Sequence, residues 1–285
     1  MTSEFAGWRP AAPLRPFAAW YVGYLEYGIP PGVHRGLPSP YLTLIFTLDE
    51  PLTVAAHPDP RTPPGQYDAL VGGLHSAPAL IRHDGRQAGI QIAISPLGAR
   101  ALLGLPAGEL ANADLPAADL LGSFAEEVRE RLMAADGWPR RFAVLDGLLS
   151  RRLAEGPGRV PAEVTHGWRR LLATGGTLTV PELAREVGWS PRYLSRRFGE
   201  EIGLTPKLAA RVVRFDRARR LLQQWAATGP AGTLATLAAD TGYYDQAHLA
   251  REFGQFAGCA PSRWLREEFR IVQAGEPVRL SDSAT

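Results

Sequence analysis

Two stretches of the chain repeat one another: LSRRFGEEIGLTP, from Leu194 to Pro206, and LAREFGQFAGCAP, from Leu249 to Pro261. Both carry leucine, arginine, phenylalanine, two glycines and proline at the same six positions, and the second copy starts 55 residues after the first. Leucine and phenylalanine four residues apart lie on one side of an α-helix, and glycine favours the left-handed backbone with which helices end. Each copy therefore predicts a helix with one buried face that is closed by glycine.

The residues before the first copy predict a complete helix-turn-helix unit. Thr179 followed by Glu182 is a capping-box pattern, in which the two side chains bind backbone N–H groups at a helix start. Gly188 then ends this helix, because glycine adopts the left-handed backbone without steric cost. Ser190 and the proline after it start a second helix, with serine as the N-cap. Residues 179–203 are thus predicted to form the first unit.

The second copy belongs to an equivalent unit over residues 233–258, whose turn is one residue longer. Thr233 and Asp245 are its predicted N-caps. Between the units, apolar residues recur with helical spacing from Thr205 onward for about five turns, which predicts one long helix. Such a helix would hold the two units at a fixed distance. Paired recognition helices that enter successive major grooves of DNA are roughly 34 Å apart.

Residues 159–270 resemble the DNA-binding domain of the AraC/XylS transcriptional regulators. The run GYYDQAHLAREFGQFAGCAPSRW of the second unit carries most of the resemblance. Gly199 and Gly254 depart from the family, which usually has a basic residue there, and so do Ala260 and Leu265, where a small hydroxyl residue and an arginine are common. These departures concern phosphate contacts rather than the fold. The resemblance implies a sequence-specific transcriptional regulator whose partners are double-stranded promoter DNA and RNA polymerase.

The outward faces of the two second helices carry the candidate DNA contacts. They are Arg192, Ser195 and Arg196 in the first unit, and Gln246, Ala247, Ala250 and Arg251 in the second. Arginine can bind guanine O6 and N7 together, glutamine can bind bases, and alanine can touch a thymine methyl group. Because the second set is mostly small, we expect the second unit to carry less sequence information. The alternative is a solvated helix face on which Arg196 pairs with Glu200.

Charge is divided unevenly between the halves of the chain. Up to Gly158 there are 13 Lys+Arg and 16 Asp+Glu, whereas from Arg159 onward there are 18 and 13. The half with the repeat is therefore the basic half, which favours a polyanionic partner. Lys207 is the only lysine, so nearly all the positive charge is arginine, whose planar guanidinium suits phosphate and guanine. Codon bias in a GC-rich genome explains most of this arginine excess.

The first half is predicted to be rich in β-strands. Asp84-Gly85 between two apolar runs is a hairpin signal, and alternation over residues 90–94 indicates a strand with one buried face. PLGARALLGL, which begins at Pro96, is predicted to be helical, and residues 123–155 to form a helical hairpin. The family resemblance implies a cupin-like β-barrel followed by helices, used for effector binding and dimerisation. The hairpin would then form a homodimer surface or merely cover the barrel.

The predicted fold class is α+β with several domains. Residues 1–157 are expected to form the β-rich domain that senses an effector and dimerises. Residues 158–273 are expected to form an all-α domain of two helix-turn-helix units joined by the long helix. The polar tail, residues 274–285, is expected to be disordered.

Aromatic and histidine side chains of the first half are candidates for ligand binding, since small barrels hold ligands in their mouths. The candidate effector pocket is lined by Trp20, Tyr24, Tyr27 and Phe46. Plain core packing is the alternative for most of them. Four histidines are candidate ligands of a cupin-type metal site: His34, His57, His75 and His83. Their irregular spacing, without a nearby glutamate pattern, favours scattered histidines, so we expect no metal and no cofactor.

Several function classes lack support in the sequence. Cys259 is the only cysteine, which excludes an internal disulfide framework and fits a reducing cytoplasm. We expect neither a secretory signal nor a membrane span, and no enzymatic activity. A DNA-targeted enzyme with a cupin-like catalytic domain is the alternative function. A structural DNA organiser without sequence preference is a further one, against which the base-facing arginines argue.

Overall fold

The first half of the chain is built on two β-sheets that pack face to face. The computed structural model describes residues 2–155, 160–229, 232–268 and 281–282. Its first nine strands are β1 (Thr2–Arg9), β2 (Ala18–Tyr27), β3 (Gly32–Gly36), β4 (Leu42–Thr47), β5 (Leu52–Ala56), β6 (Gly65–Tyr67), β7 (Ala69–Gly72), β8 (Ala79–His83) and β9 (Arg86–Ile94). Two short strands follow, β10 (Asp114–Pro116) and β11 (Ser281–Asp282).

Strand order shows how the two sheets are assembled. The larger sheet has the order β10-β7-β4-β9-β2-β1-β11, and the smaller has the order β3-β8-β5-β6. Neighbouring strands are antiparallel, except that β11 pairs with β1 in parallel. Gly85 lies in the turn between β8 and β9, and its φ of 96° requires the left-handed region. The predicted hairpin is wrong, however, because β8 belongs to the smaller sheet and β9 to the larger one, so this turn connects the two sheets. The prediction that the first half is rich in β-strands is thus confirmed.

Alternation along β4 separates two apolar layers. Ile45 faces the smaller sheet and packs with Val54 and the residues around it. Phe46 points to the opposite side, into the main core that the helices cover. This period of two is what a strand buried on both faces requires. The larger sheet is therefore the middle layer of the first half.

Helices cover the outer face of the larger sheet. They are α1 (Ala99–Leu102), α2 (Ala117–Leu121), α3 (Ser123–Ala134) and α4 (Gly137–Glu155). The predicted hairpin of residues 123–155 is present as α3 and α4. PLGARALLGL forms a 3-10 turn at Pro96–Gly98 and the single turn of α1, so the predicted helix there is much shorter than expected.

The hairpin is fixed to the sheet by aromatic packing. Phe142 stacks on Trp8 with ring centroids 5.2 Å apart. A Cβ atom at Gly23 would lie 2.3 Å from the ring of Trp138, so glycine is what lets this tryptophan reach the strand. Asp146 accepts a hydrogen bond of 3.1 Å from the Tyr21 hydroxyl. The hairpin therefore covers the sheet, and the homodimer surface that the sequence also left open stays a prediction.

Over its described residues from 162 to 267, the second half is built from helices and the turns between them. Its helices are α5 (Ala162–Ala173), α6 (Val180–Glu186), α7 (Pro191–Ile202), α8 (Pro206–Thr228), α9 (Leu234–Asp240), α10 (Gln246–Ala257) and α11 (Pro261–Glu267). No helix in the described ranges has both the length and the apolar composition needed to cross a bilayer. Within the tail that was predicted to be disordered, residues 281 and 282 form β11, and the rest of that prediction lies outside the described residues.

Candidate nucleic-acid interface

The first helix-turn-helix unit is shaped by local caps. Thr179 starts α6 with a full capping box, in which its backbone N–H donates to Glu182 Oε2 at 2.9 Å. Gly188 follows α6 with a φ of 72°. Ser190 caps α7 by accepting from the backbone N–H of Tyr193 at 3.2 Å. The predicted caps of this unit are thus confirmed, and they fix the direction in which α7 leaves the turn.

Helix α7 separates a buried face from an exposed one. Leu194, Phe198 and Ile202 are fully buried. The guanidinium groups of Arg192 and Arg196 lie on the exposed face. Two arginines one turn apart can reach base edges in a single groove. The structure therefore brings these two predicted DNA contacts together.

The two arginines differ in what already holds them. Arg196 pairs with Glu200 at 3.1 Å, and its guanidinium lies 5.2 Å from the ring centre of Tyr193. Arg192 has no ion pair among the described residues. The predicted contact Ser195 is half-buried, and its hydroxyl donates to the Pro191 carbonyl at 2.8 Å. Arg192 is thus free to meet a ligand, whereas Arg196 must first leave Glu200.

The second unit has the same kind of cap and closing glycine as the first, but smaller side chains on its exposed face. Asp245 caps α10 by accepting from the backbone N–H of His248 at 2.7 Å, and Gly258 closes the helix with a φ of 70°. The outer face of α10 carries the predicted contacts Gln246, Ala247, Ala250 and Arg251. No ion pair holds Arg251 within the ranges that the structure covers.

Two exposed tyrosines stand near these faces and were missed from the sequence. Tyr193 on α7 is 42 % exposed, and Tyr244 in the turn before α10 is 93 % exposed. Exposed aromatic residues produce no periodic pattern. The extra residue in the second turn was the one available signal for Tyr244.

Helix α8 connects the units as one continuous rod. Its 23 residues span about 34 Å at the usual rise per residue. Phe215 of α8 packs on Phe253 and Phe256 of α10, with both pairs of ring centroids 5.1 Å apart. Arg211 of α8 also binds Glu252 of α10 at 2.5 Å. The second recognition helix is therefore fixed to the connecting helix.

The first half touches both units. Arg100 of α1 forms two hydrogen bonds of 2.9 Å with the buried carboxylate of Glu201 at the end of α7. Arg35 of β3 binds Glu267 at 2.7 Å and Glu268 at 3.0 Å, where α11 ends. Burial raises the pKa of Glu268, which Arg35 opposes. The first half therefore contacts the helical half at the end of α7 and again at the end of α11, the helix that follows the second unit.

The four predicted effector residues do not form one cluster. Trp20 and Tyr24 share the sheet face that looks toward the smaller sheet, since Tyr24 is in register with Gly89 and Thr47. Tyr27 lies on the other face, with Arg86 over its ring at 5.2 Å. Phe46 is fully buried in the main core. The alternation of Leu42, Leu44 and Phe46 was the signal that separates Phe46 from a ligand pocket.

A small polar cleft opens between the two sheets at the turn that connects β8 to β9. Its lining includes Tyr24, Thr47, His83 and Gln87. His34 and His83 face one another with ring centroids 6.0 Å apart, and the Nδ1 atoms of both are buried without a hydrogen-bond partner among the described residues. Burial, with His83 second, lowers the pKa of His34 to about 4. Both rings are candidates for binding a small molecule.

The other two histidines of the first half are engaged elsewhere. His57 Nδ1 lies 2.7 Å from Asp114 Oδ2, and its Nε2 lies 3.2 Å from the Tyr67 hydroxyl. His75 Nδ1 lies 2.6 Å from the Ala77 carbonyl oxygen. The four histidines thus do not form one cluster: His34 and His83 face one another, and His57 and His75 bind other groups. Over the described ranges, no three His, Cys, Asp or Glu residues are grouped so that they could hold a metal ion.

Each half of the chain matches a known sequence family. Residues 183–267 match the family described as a helix-turn-helix domain, and residues 7–116 match a domain of unknown function, DUF6597. The HTH-type transcriptional regulator Rv1931c of Mycobacterium tuberculosis is 29 % identical over 92 residues, which are 32 % of this chain and 34 % of that protein. The chain thus spans about a third of the length of this curated relative.

Solved structures show a similar order of domains. An apo point variant of ToxT from Vibrio cholerae is 10 % identical, covers 87 % of this chain and 97 % of its own, and has a TM-score of 0.53. A second ToxT crystal form, also 10 % identical, covers 93 % and 98 % with a TM-score of 0.50. At this identity the likeness concerns the fold alone. It agrees with a β-rich half followed by a helical half.

Proposed function

We propose that this chain, which carries an AraC-type helix-turn-helix domain over residues 183–267, is a DNA-binding transcriptional regulator. The observation that carries the proposal is the pair of exposed recognition faces on α7 and α10, joined by α8. Two recognition helices held by one connecting helix are the arrangement with which paired units enter successive major-groove segments on one face of DNA. Double-stranded promoter DNA is thus the proposed partner.

Sequence reading is assigned mainly to the first unit. Arg192 and Arg196 present two guanidinium groups on one face of α7, each able to bind guanine in the major groove. In the second unit, Gln246 and Arg251 supply polar groups, and Ala247 and Ala250 allow close approach to the groove floor. Ser195 is placed to assist at the edge of the first face. RNA polymerase and a second copy of the chain are further partners that the family resemblance implies.

The experiment is binding of the full-length protein to a genomic fragment library at fixed, near-physiological salt, because non-specific affinity falls steeply with salt. We expect discrete enriched fragments that share a motif, and their loss in Arg192→Ala/Arg196→Ala. Arg131→Ala/Arg140→Ala is the matched control, since it removes two exposed arginines from the α3–α4 hairpin. Uniform binding by the wild type, or equal loss in the control, contradicts the proposal.

The first half is proposed to sense a small molecule at the cleft between the sheets. Tyr24 and His83 line this cleft, and the Nδ1 atoms of His83 and of His34, which faces it, have no hydrogen-bond partner among the described residues. A ligand there would act by shifting the population of domain arrangements, which requires different affinities for those arrangements. A thermal-shift screen of metabolites, repeated with Tyr24→Ala and His83→Ala, tests this proposal. True effectors raise the Tm of the wild type and lose that effect in both variants.

Regulation is favoured over DNA-targeted catalysis. The matched helix-turn-helix domain and the named regulator among its relatives both concern transcription. An enzyme would be indicated by turnover that depends on the first half and survives loss of Arg192 and Arg196. Catalysis is therefore kept only as the alternative function, which a measurement of such turnover would reveal.

A further inference from the structure

Tyr244 stands at the entrance of the second recognition helix with almost no contact to its own protein. Its side chain is 93 % exposed, more than any other large apolar or aromatic side chain of the described residues. A single exposed tyrosine is ordinary on a protein surface. Its position is what matters, because it lies one residue before the N-cap of α10.

The turn that carries Tyr244 is held rigidly on both sides. Tyr243 is buried, with the Arg214 guanidinium 5.1 Å from its ring centre and the ring of His248 5.2 Å away. Asp245 caps the helix, and the backbone N–H of Tyr244 itself donates to His248 Nδ1 at 3.4 Å. The ring of Tyr244 is therefore projected outward from a fixed backbone.

The first unit has no counterpart to this residue. Its turn is one residue shorter, and the aromatic residue there, Trp189, packs on Tyr193 with ring centroids 4.9 Å apart. The second unit also has short side chains at Ala247 and Ala250, which let the backbone of α10 lie deep in a groove. A deep helix brings the turn at its N-terminus close to the flanking phosphates.

We propose that Tyr244 is a DNA-positioning residue: its hydroxyl donates a hydrogen bond to a backbone phosphate beside the second half-site, and its ring packs on the adjoining sugar. This rests on the DNA binding proposed above. Tyrosine is among the side chains that contact phosphates, and such contacts fix register without reading sequence. Tyr244 thus supplies the anchoring that the small residues of α10 do not.

The test compares the wild type with Tyr244→Phe and Tyr244→Ala on the enriched site, on sites mutated in either half, and on unrelated DNA, at several salt concentrations. We expect about tenfold weaker binding for Tyr244→Ala on every duplex, and most of that loss for Tyr244→Phe, which lacks the hydroxyl. The salt dependence should stay that of the wild type, because a neutral donor releases no counterion. Arg251→Ala should differ by changing the salt slope, the sequence preference or both.

Controls separate this contact from folding and from the general proposal. Met133→Ala, which trims an exposed side chain on the distant hairpin, should bind as the wild type does. Both tyrosine variants should keep the wild-type Tm. Unchanged affinity of Tyr244→Ala, wild-type affinity of Tyr244→Phe, or a loss confined to some base sequences overturns the phosphate contact while leaving specific DNA binding intact. Absence of discrete sites for the wild type overturns both proposals.

Discussion

Arg196 and Arg251 occupy matching places in the two recognition helices but have different neighbours. Arg196 shares its face with Arg192, whereas Arg251 stands among alanines. We expect Arg196→Ala to relax base preference more than Arg251→Ala, by about 1–3 kcal/mol for its base pair. Affinities on a panel of operators with single changed base pairs measure this. Equal losses of preference in the two variants would refute the assignment.

Glu200 restrains two arginines of the first recognition helix. Its carboxylate binds Arg196 at 3.1 Å and Arg197 at 2.7 Å. We expect Glu200→Gln to bind DNA more tightly, by up to about 1 kcal/mol, because exposed ion pairs of this kind are worth that much. Titrations at one salt concentration measure the change.

The matched control for that change is Glu127→Gln. Glu127 likewise holds two arginines, Arg131 at 3.0 Å and Arg151 at 2.5 Å, but on the α3–α4 hairpin. It should leave DNA affinity unaltered. A similar gain in both variants would point to net charge rather than to the release of Arg196.

His34 makes the stability of the protein sensitive to pH. Its pKa is lowered from 6.5 to about 4, chiefly by burial. Because the folded-state pKa lies below the unfolded one, the unfolded chain binds more protons between these values. The stability that neutral His34 contributes is therefore fully present above pH 6.5 and is lost as the pH falls toward 4.

Urea unfolding at pH 7.5 and pH 5, about 1 unit above and about 1.5 units below the unfolded pKa of 6.5, measures this effect. We expect His34→Asn to lose less free energy of unfolding between these two conditions than the wild type does. A His34 variant with the full pH dependence would contradict the assignment.

Short-range patterns account for the helices that the sequence predicted well. The caps Thr179, Ser190, Thr205 and Asp245 each bind a backbone N–H within three residues, so neighbouring letters suffice to identify them. The glycines that close α7 and α10 are equally local. Helix α5, which lacks a capping side chain, was not identified, and neither was β1.

Two of the closing glycines differ in their surroundings. Gly188 has a φ of 72° and open space around an added Cβ, whereas Gly203 has a φ of 93° and its Cβ would lie 3.0 Å from the Ala107 carbonyl oxygen. We expect Gly188→Ala to lower the free energy of unfolding by about 1 kcal/mol through backbone strain alone. Gly203→Ala should cost more, since the neighbouring segment must also move.

Urea unfolding of both variants measures the difference. Gly147→Ala inside α4, where an added Cβ also meets nothing within 4 Å, should instead add about 0.5–1 kcal/mol. Equal losses of free energy of unfolding in Gly188→Ala and Gly203→Ala would show that the segment around Ala107 moves aside without measurable cost.

The contacts between the halves were beyond the reach of the sequence. Arg35 and Glu268 are separated by 233 positions, and Arg100 and Glu201 by 101. No periodicity or motif relates residues so far apart, because only the folded topology brings them together. The same limit applies to the candidate cleft, where the pairing of strands decides that Tyr24 and Phe46 face opposite ways.

The Arg100–Glu201 pair should matter for the stability of the whole chain. Glu201 is 4 % exposed, so removing Arg100 leaves a buried carboxylate without its partner. We expect Arg100→Met to lower the free energy of unfolding by about 3 kcal/mol, and Arg100→Met/Glu201→Leu to recover most of that. Chemical unfolding of the two single variants and the double variant measures the coupling. A double variant as unstable as Arg100→Met would argue against it.

Cys259 lies at the junction of the two halves. It follows Gly258, whose added Cβ would be 3.8 Å from Pro78, and it is buried beside Arg35. Burial also raises the pKa of its thiol, so the reactive thiolate is scarce while the halves are in contact. Since the chain has no second cysteine, the rate at which a thiol reagent consumes it reports the opening of the packing at this one place, where the first half meets α10 and α11. The rate of thiol modification is therefore a chemical measure of how often this junction opens.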